Sequence, residues 1–461
     1  MKNRSIADKR VTVVGFGRSG IAAARLAMRK GAREVIMQDK RDAAELGDDL
    51  VLELVREGVR AEFGDHREQT LLESDLVVVS PGVPKLAVIE RTASAGVLVV
   101  SEIEFASWFI EADIVAITGT NGKSTVTSLI GSIIEHSGVP SFVGGNLGPP
   151  LSDAVDSIAC REGGVVVLEL SSYQLERTLS LAPKVAVMLN LTPDHLDRYG
   201  TLGAYGAAKQ RIFRNQKSSD FAVVPGFDAM MIAMARAGAA KVETYGTADS
   251  SVRAEGGDLV DRWGANYSRD SIKIRGGHNL ENAMAAVLAT RLLGVGETAI
   301  REGLTAFAGL PHRMEFVADD DNIEYFNDSK ATNVAAAVKA IVGLGDDRKI
   351  VLIAGGRDKG GSYEPLRALI EQRGRAVVLL GESTELMKAQ FEDIVAIRVA
   401  DDMFDAVSIA RGCARSGDVV LLAPACSSLD MFENFEERGR IFSAAVRALA
   451  GTSRQEEDLS R

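Results

Sequence analysis

The sequence predicts an α/β protein of three domains, and three observations lead to this fold class. The chain has 461 residues, more than a single hydrophobic core normally serves, so roughly two to four domains are expected. Short apolar runs alternate with helical patterns along the chain, which is typical of parallel sheets covered by helices on both faces. Two of these runs lead directly into a glycine-rich turn and a helix, as in nucleotide-binding α/β domains.

The predicted strands are short apolar runs bounded by turn residues. They are residues 10–14, 34–38, 76–80, 97–101, 114–118, 165–170, 185–190, 324–327, 350–354, 376–380 and 419–423. The segment 247–275 is rich in Gly, Asp and Ser, which predicts a hairpin-and-loop insert.

The strand–helix unit recurs in three blocks, and the limits of these blocks give the expected domains. The first is a Rossmann-like domain over residues 1–110. The second, over residues 111–310, is a central domain with a P-loop-type site and a mostly parallel sheet. The third is a C-terminal Rossmann-like domain over residues 311–461.

Composition and charge exclude several classes of protein. Apolar residues make up 46% and charged residues 25% of the chain, as in ordinary globular proteins. The net charge is −11, so neither a nucleic-acid partner nor an anionic membrane surface has electrostatic support. Three scattered cysteines are too few for a disulfide framework. The sequence has no stretch typical of a signal peptide or a bilayer span. We therefore expect a cytoplasmic protein without membrane insertion, and we expect a monomer.

The first glycine-rich turn, residues 15–20 (GFGRSG), follows a predicted strand and opens a helix, and Asp39 follows the next strand. This is the dinucleotide fingerprint, in which backbone amides face phosphates and the acid bonds the ribose. By itself it predicts a nicotinamide cofactor. An NAD-dependent oxidoreductase and a non-catalytic nucleotide-binding regulator therefore stay open as alternatives.

The second turn, residues 119–125 (GTNGKST), is here named the phosphate loop. Its glycines allow backbone amides to surround phosphate oxygens at a helix N-terminus. Lys123 has the reach for the β- and γ-phosphates, and Ser124 or Thr125 can ligate magnesium. The usual P-loop has four residues between its glycines, whereas this loop has Thr120 and Asn121 alone. The helix that follows has an apolar face, made by Val126, Leu129, Ile130, Ile133 and Ile134.

Three polar residues of the central block each have a plain interpretation. Glu169 ends an apolar strand, where a carboxylate needs either backbone amides or a magnesium ion as its partner. His195 lies in a loop, where a histidine is more often a structural or solvated residue, and its imidazole is also a candidate general base. Lys209 is an exposed helix lysine in the plain interpretation.

The phosphate loop resembles that of the Mur ligase family, the amide-forming enzymes of peptidoglycan precursor synthesis, with their folylpolyglutamate synthase relatives. Matching segments follow in the family's order from about Val11 to about Gly439. They are GGNLG (144–148), ELSSYQL (169–175), NLTPDHLDRY (190–199), GHNLEN (277–282), LPHR (310–313), NDSKATN (327–333), GGRDKG (355–360) and PACSSLD (424–430). The last three segments resemble the branch that adds D-glutamate.

The resemblance implies an ATP-dependent ligase that joins D-glutamate to UDP-N-acetylmuramoyl-L-alanine through an acyl phosphate, with two magnesium ions. It assigns UDP-substrate binding, ATP binding and amino-acid binding to the three domains in chain order. It implies catalytic roles for Lys123, His195, Lys209 and Arg313, and metal binding by Ser124, Glu169, His195 and Lys209, the last as a carbamate.

The remaining implied site residues fall into two groups. ATP is bound by Gly119, Thr120, Asn121, Gly122, Lys123, Ser124, Thr125, Asn279, Asn282, Arg313, Asp328 and Lys330. The UDP-substrate and D-glutamate are bound by Ser19, Asp39, Arg41, Ser80, Gly82 and Asn146, and by Thr332, Lys359, Ser428, Leu429 and Phe435. From the residues alone, Asn279 is equally a helix cap, and Asp328 with Lys330 is equally a surface ion pair.

Overall fold

A computed structural model describes residues 5–274, 277–344, 348–358, 360 and 362–459, with the backbone alone for 196–197 and 450–459. The chain forms two compact units, described here separately. The first unit is Met1–Lys273 with Asn279–Phe307, and the second is Ile274–His278 with Ala308–Arg461. Within the described ranges, none of the helices has the length and apolarity that crossing a membrane requires.

The first unit begins with a five-stranded parallel sheet in the order β3-β2-β1-β4-β5. Its strands are β1 Arg10–Val14, β2 Glu34–Asp39, β3 Arg60–Phe63, β4 Leu76–Val79 and β5 Leu98–Ser101. The helices are α1 Arg18–Arg29, α2 Ala43–Leu46, α3 Asp48–Arg56, α4 Glu68–Leu72, α5 Ala87–Ser94 and α6 Glu102–Ser107. The strand order reverses next to β1, where α/β sheets bind ligands.

A nine-stranded sheet follows, in the order β14-β13-β12-β11-β10-β9-β6-β8-β7. Its strands are β6 Asp113–Thr118, β7 Ser141–Gly145, β8 Val165–Glu169, β9 Val185–Met188, β10 Phe221–Pro225, β11 Lys241–Tyr245, β12 Val252–Glu255, β13 Asp258–Asp261 and β14 Asn266–Tyr267. The last three pair antiparallel, which confirms the hairpin predicted in segment 247–275.

Eight α-helices belong to this block of the described chain. They are α7 Lys123–His136, α8 Leu151–Ala154, α9 Ser172–Glu176, α10 Leu196–Tyr199, α11 Leu202–Gln210, α12 Ala229–Arg236, α13 Gly277–Leu292 and α14 Glu297–Ala306, with 3-10 turns at Ile158–Cys160, Arg211–Phe213 and Arg269–Ser271. The helix α14 packs so closely on α7 that a Cβ at Gly303 would lie 2.5 Å from Cα of Ile133.

The second unit holds a six-stranded sheet in the order β15-β16-β20-β17-β18-β19. Its strands are β15 Glu315–Asp320, β16 Ile323–Asn327, β17 Ile350–Gly355, β18 Gly374–Leu380, β19 Ala396–Val399 and β20 Val419–Leu422. The helices are α15 Val334–Gly343, α16 Glu364–Arg373, α17 Thr384–Phe391, α18 Met403–Cys413 and α19 Phe435–Leu459. Only β15 pairs antiparallel among these described strands.

The structure confirms the predicted α/β class with mainly parallel sheets, and every predicted strand is present within two residues at each end. The reason is that central strands are buried on both faces and therefore have continuous apolar runs. In β17 and β20, for example, all residues are buried.

Candidate functional site

The phosphate loop joins the end of β6 to the start of α7, as predicted. Gly119 and Gly122 have φ angles of 149° and 80°, which side-chain-bearing residues rarely adopt. A Cβ at Gly122 would also lie 2.5 Å from Oδ1 of Asn282, and a Cβ at Gly119 would lie 3.1 Å from Cβ of Leu189. Glycine is therefore required at both positions by backbone conformation and by space.

Residues that follow β9 hold the loop in place. The Asn121 amide donates to Oδ1 of Asn190 (2.8 Å), and Nδ2 of Asn190 donates back to the Asn121 carbonyl (3.1 Å). The Thr120 amide donates to the Asn190 carbonyl (3.1 Å), and the Thr192 amide donates to the Thr120 hydroxyl (3.1 Å). The sequence analysis assigned no role to Asn190, although it begins the matched segment 190–199.

Replacing Asn190 by alanine removes both side-chain bonds to the loop, and we expect a higher KM for ATP. Two neutral hydrogen bonds stabilise the loop by about 1–3 kcal/mol, equal to a rise of roughly 5- to 100-fold. Steady-state kinetics with varied ATP measures it. Asn215→Ala, which removes a half-buried amide bonded to the carbonyls of Leu179 and Leu181, is the control. An unchanged KM for ATP would show that the loop keeps its shape without Asn190.

Two lysines meet at one carbonyl of the loop. Nζ of Lys209 donates to the Gly119 carbonyl (2.8 Å), and Nζ of Lys123 donates to the same carbonyl (2.9 Å) and to that of Thr120 (2.8 Å). Lys209 is 1% exposed, so the plain interpretation as an exposed helix lysine is wrong. Burial, and secondly the charge of Lys123, lower the pKa of Lys209 to about 7.

Glu169 ends β8 as predicted and is 3% exposed. Nδ2 of Asn146 donates to its Oε1 (2.7 Å), while Oε2 is buried without a hydrogen-bond partner among the described residues. A buried carboxylate oxygen without a partner is costly. The sequence analysis offered backbone amides or a magnesium ion as the partner of this carboxylate. No backbone amide of the described residues donates to Oε2, so a cation is the partner that the chemistry of a carboxylate oxygen favours.

His195 follows β9 in an exposed loop and has a φ of 52°. Its ring centroid lies 6.0 Å from that of Tyr205, and Nζ of Lys209 lies 4.5 Å from the Tyr205 ring centroid. The structure thus brings the His195 loop next to Lys209 through one tyrosine. In the described ranges, no group of three or more His, Cys, Asp or Glu side chains has an arrangement that could hold a metal ion.

The two predicted amides of α13 lie beside the loop. Nδ2 of Asn282 donates to Oδ1 of Asn279 (3.0 Å), and Asn282 is close to Gly122. Because α13 begins at Gly277, Asn279 lies inside the helix and the cap interpretation is wrong. Ser124 and Thr125 lie buried in the first turn of α7.

A second cluster of predicted residues surrounds the turn 15–20. The Phe16 amide donates to Oδ2 of Asp39 (2.8 Å), and the Arg41 guanidinium donates to both carboxylate oxygens (3.0 and 2.9 Å). Burial alone would raise the pKa of Asp39, but hydrogen bonds from Arg41 and these amides lower it to about 2. A Cβ at Gly20 would lie 1.9 Å from the Gly15 carbonyl, so the turn requires its third glycine.

The other predicted residues of this cluster lie on its two sides. Ser19 is in the first turn of α1, and Gly82 is exposed in the turn after β4. The Ser80 hydroxyl donates to the Gly15 carbonyl (3.3 Å). A carboxylate whose pKa is lowered to about 2, an arginine and a tight glycine turn are chemically suited to a nucleotide's polar groups.

In the second unit, Asp328 follows β16 and is buried. Burial raises the pKa of Asp328 to about 6, although the positive charges of Arg313 and Lys330 lower it. The interpretation as a surface ion pair is wrong, because only Lys330 is exposed, with Nζ 5.1 Å from the Phe435 ring centroid. The Thr332 amide donates to the Lys330 carbonyl (2.8 Å), so Arg313, Asp328, Lys330, Thr332 and Phe435 share one region.

Arg438 of α19 connects that region with the segment 424–430. It is 1% exposed and donates to the carbonyls of Ser329 (2.9 Å) and Cys426 (3.2 Å). Next along the chain, Ser428 is buried and Leu429 is 59% exposed. Sequence reasoning missed Arg438, because a single arginine in a helix has no distinguishing pattern. Lys359 lies outside the described residues.

Comparisons with known proteins find three family models on consecutive parts of the chain. They are Mur ligase MurD-like, N-terminal domain, over residues 9–101, Mur ligase middle domain over residues 117–290, and Mur ligase, glutamate ligase domain over residues 312–426.

Similar proteins match the chain over nearly its whole length. A Geotalea daltonii protein named UDP-N-acetylmuramoylalanine--D-glutamate ligase is 43% identical over 455 residues, 97% of this chain and 99% of that protein. A Trichlorobacter lovleyi protein of the same name is 44% identical over 448 residues, 96% and 99% of the two chains. The structure of MurF ligase from Thermotoga maritima in complex with ADP has a TM-score of 0.55 at 17% identity, covering 96% of both chains. The chain belongs to the Mur ligase family.

Proposed function

We propose that this protein is the ATP-dependent ligase that adds D-glutamate to UDP-N-acetylmuramoyl-L-alanine in peptidoglycan precursor synthesis. Two relatives more than 40% identical over nearly the whole chain carry that name. The observation that carries the proposal is the position of the buried Lys209, whose Nζ donates to the Gly119 carbonyl of the phosphate loop and is within electrostatic reach of the buried carboxylate of Glu169.

The proposed reaction begins with activation of a carboxylate by ATP, because a free carboxylate repels nucleophiles. The alanyl carboxylate attacks the γ-phosphorus, and ADP leaves as the bond from the γ-phosphorus to its bridging oxygen breaks. The resulting acyl phosphate has a good leaving group. Lys123 and the loop amides hold the β- and γ-phosphates, and Arg313 binds the γ-phosphate as a rigid donor fork. The amine of D-glutamate then attacks the acyl carbon, and phosphate leaves.

The nucleotide is proposed to lie between the loop and α13, where Asn279 and Asn282 supply amide groups beside Gly122. Asp328 and Lys330 complete the proposed ATP contacts. The dinucleotide-type turn, with Asp39, Arg41, Ser80 and Gly82, is proposed to bind the UDP group instead of NAD. Ser19 and Asn146 belong to the proposed UDP-substrate contacts as well.

D-Glutamate is proposed to bind at the end of β16 and the segment 424–430. Ser428 and Thr332 supply hydroxyl donors, Lys330 and Phe435 lie beside Thr332, and Leu429 offers an exposed apolar surface. Lys359 is part of this proposal on the basis of the GGRDKG segment. The three proposed domains keep the bounds 1–110, 111–310 and 311–461.

Two magnesium ions fit the residues of the first unit. Oε2 of Glu169 is a buried oxygen without a hydrogen-bond partner among the described residues, and the Ser124 hydroxyl lies at the first turn of α7. Magnesium prefers such oxygen ligands, and His195 is the proposed nitrogen ligand. When bound, the ions would neutralise charge that develops on the transferred phosphoryl group.

Lys209 is proposed to carry a carbamate, the anionic group that a second ion requires. Its Nζ donates to a neutral partner, the Gly119 carbonyl, and the side chain is almost fully buried. A buried lysine loses its proton readily, and a neutral amine adds carbon dioxide to form a carboxylate-like group. We also propose a cytoplasmic monomer, and its free cysteines are consistent with a reducing compartment.

Phosphate release with ATP, magnesium and UDP-N-acetylmuramoyl-L-alanine tests the proposed function. We expect D-glutamate to stimulate release, and L-lysine, meso-diaminopimelate and L-alanine to leave it at the background rate. The reason is that the NDSKATN, GGRDKG and PACSSLD segments belong to the D-glutamate-adding pattern. Equal stimulation by all four amino acids would refute the assignment, and tight NADH binding would support the oxidoreductase.

Changing Asp39 to alanine tests the proposed UDP site. We expect the KM for the UDP-substrate to rise roughly 10- to 100-fold with little change for ATP, because a charge-assisted hydrogen bond contributes about 1.5–3 kcal/mol. Asp39→Asn keeps an acceptor for the Phe16 amide and serves as the structural control. A UDP-substrate KM that stays at the wild-type value in the alanine variant contradicts the proposal.

A further inference from the structure

The His195 ring has one hydrogen-bond partner in the part of the chain that the structure describes. The Tyr173 hydroxyl lies 2.9 Å from Nδ1 of the ring. Nε2 lies 3.8 Å from Oδ2 of Asp194, which is beyond hydrogen-bond distance. The side chain of His195 is 43% exposed, so packing alone does not determine the orientation of the ring.

Tyr173 is itself in contact with a second residue, Arg198. The guanidinium carbon of Arg198 lies 4.5 Å from its ring centroid, an attractive cation–π geometry. Arg198 donates to both oxygens of the Glu176 carboxylate (3.1 and 2.6 Å), a two-point contact that fixes the plane of the guanidinium. The hydroxyl of Tyr173 therefore has a defined position next to the His195 loop.

A short turn joins the strand that ends at Glu169 to the helix that contains Tyr173. β8 ends at Glu169 and α9 begins at Ser172, where the Ser171 side chain and Gln174 form a capping box. The Ser171 hydroxyl accepts from the Gln174 amide (3.2 Å), and Oε1 of Gln174 accepts from the Ser171 amide (2.9 Å). A capping box satisfies two backbone donors at the start of a helix, so the backbone between the Glu169 carboxylate and the Tyr173 ring is held by its own hydrogen bonds.

We propose that Tyr173 is a positioning residue whose oxygen accepts Nδ1–H of His195, which leaves Nε2 of that ring as the nitrogen that binds the cation. A metal-binding histidine has its tautomer set by the hydrogen bond that its other nitrogen makes. The turn then aligns the two candidate ligands, Glu169 and His195, with each other. This inference rests on the proposed role of His195 as a magnesium ligand.

Tyr173→Phe is the test variant, because it removes the hydroxyl and keeps the ring under Arg198. Tyr199→Phe is the matched control. It removes a hydroxyl from the ring that stacks on Tyr173 at 6.3 Å but makes no hydrogen bond to His195 in the described structure. Thermal unfolding of both variants checks that the fold is retained.

Two measurements need no turnover. The first is the affinity for Mn²⁺ in the presence of ADP, followed by electron paramagnetic resonance. The second is the tautomer of His195, read from its ring ¹⁵N shifts. The chain has five histidines, and His195→Gln assigns the signal. We expect an Nδ1–H tautomer in the wild type, a tautomer mixture in Tyr173→Phe, and Mn²⁺ affinity reduced about 10-fold in that variant.

The outcomes separate the inference from the proposed function. If His195→Ala binds Mn²⁺ as tightly as the wild type, the ligand role of His195 is wrong and the inference falls with it. If His195→Ala weakens binding but Tyr173→Phe does not, the inference alone is overturned. An Nε2–H tautomer in the wild type also overturns it, as does an equal loss of affinity in Tyr199→Phe.

Discussion

Lys209→Ala is expected to lose nearly all ligase activity, on the order of 10³-fold in kcat, and to recover part of it in acetate. The lost group is the proposed carbamate, whose charge stabilises the cation beside the transferred phosphate. Acetate restores part of the rate because a small carboxylate fills the vacated space. Lys209→Arg is expected to stay inactive with or without acetate, because arginine keeps its positive charge and fills the space.

Phosphate release with and without acetate measures both effects. Lys217→Ala, at an exposed lysine of the same unit, is the control, and acetate should not change its rate. Thermal unfolding of Lys209→Ala and Lys209→Met separates lost chemistry from lost packing, since methionine fills the buried space without charge. An alanine variant with wild-type activity would rule out the carbamate.

Glu169→Gln is expected to lower kcat roughly 10²- to 10³-fold without lowering the melting temperature. Glutamine keeps the oxygen that accepts from Asn146 and removes the charge that a cation requires. Because the wild-type carboxylate is buried with one oxygen unpaired, removing its charge should not destabilise the fold.

The measurements for Glu169→Gln are steady-state kinetics, Mn²⁺ affinity with ADP, and thermal unfolding. Glu135→Gln, at an exposed position of α7, is the matched control for the loss of one charge. If Oε2 of Glu169 binds a cation, the Mn²⁺ affinity of Glu169→Gln falls together with its kcat. A variant that keeps its Mn²⁺ affinity would instead assign Glu169 a purely structural role.

Edge strands show where sequence prediction of the fold was incomplete. The sequence analysis did not include β3, β7, β10, β11, β15 and β19. Four of these, β3, β7, β15 and β19, are edge strands of their sheets, whereas β10 and β11 lie inside the nine-stranded sheet. An edge strand is covered on fewer sides and has more polar residues, as the exposed residues of β19 illustrate. Its apolar signal is therefore weaker than that of a central strand.

The residues that sequence reasoning missed act across long separations in the chain. Asn190 bonds Asn121, 69 positions away, and Arg438 bonds Ser329, 109 positions away. The Tyr173 hydroxyl reaches His195, 22 positions away. Neither periodicity nor a local motif contains such information, because each contact depends on how separate elements pack.

The sequence by itself determined the α/β class, most central strands, the phosphate loop and the family, because apolar periodicity and glycine-rich turns are local properties. Only the tertiary structure decided how far the side chains of Lys209 and Glu169 are removed from water. Lys209 is buried because β6 and α11 bring its Nζ to the Gly119 carbonyl, 90 positions away. Removal from water lowers the pKa of this lysine, and the same burial leaves one oxygen of Glu169 without a partner. Desolvation depends on the whole packed environment of a side chain, so residue type and spacing do not reveal it.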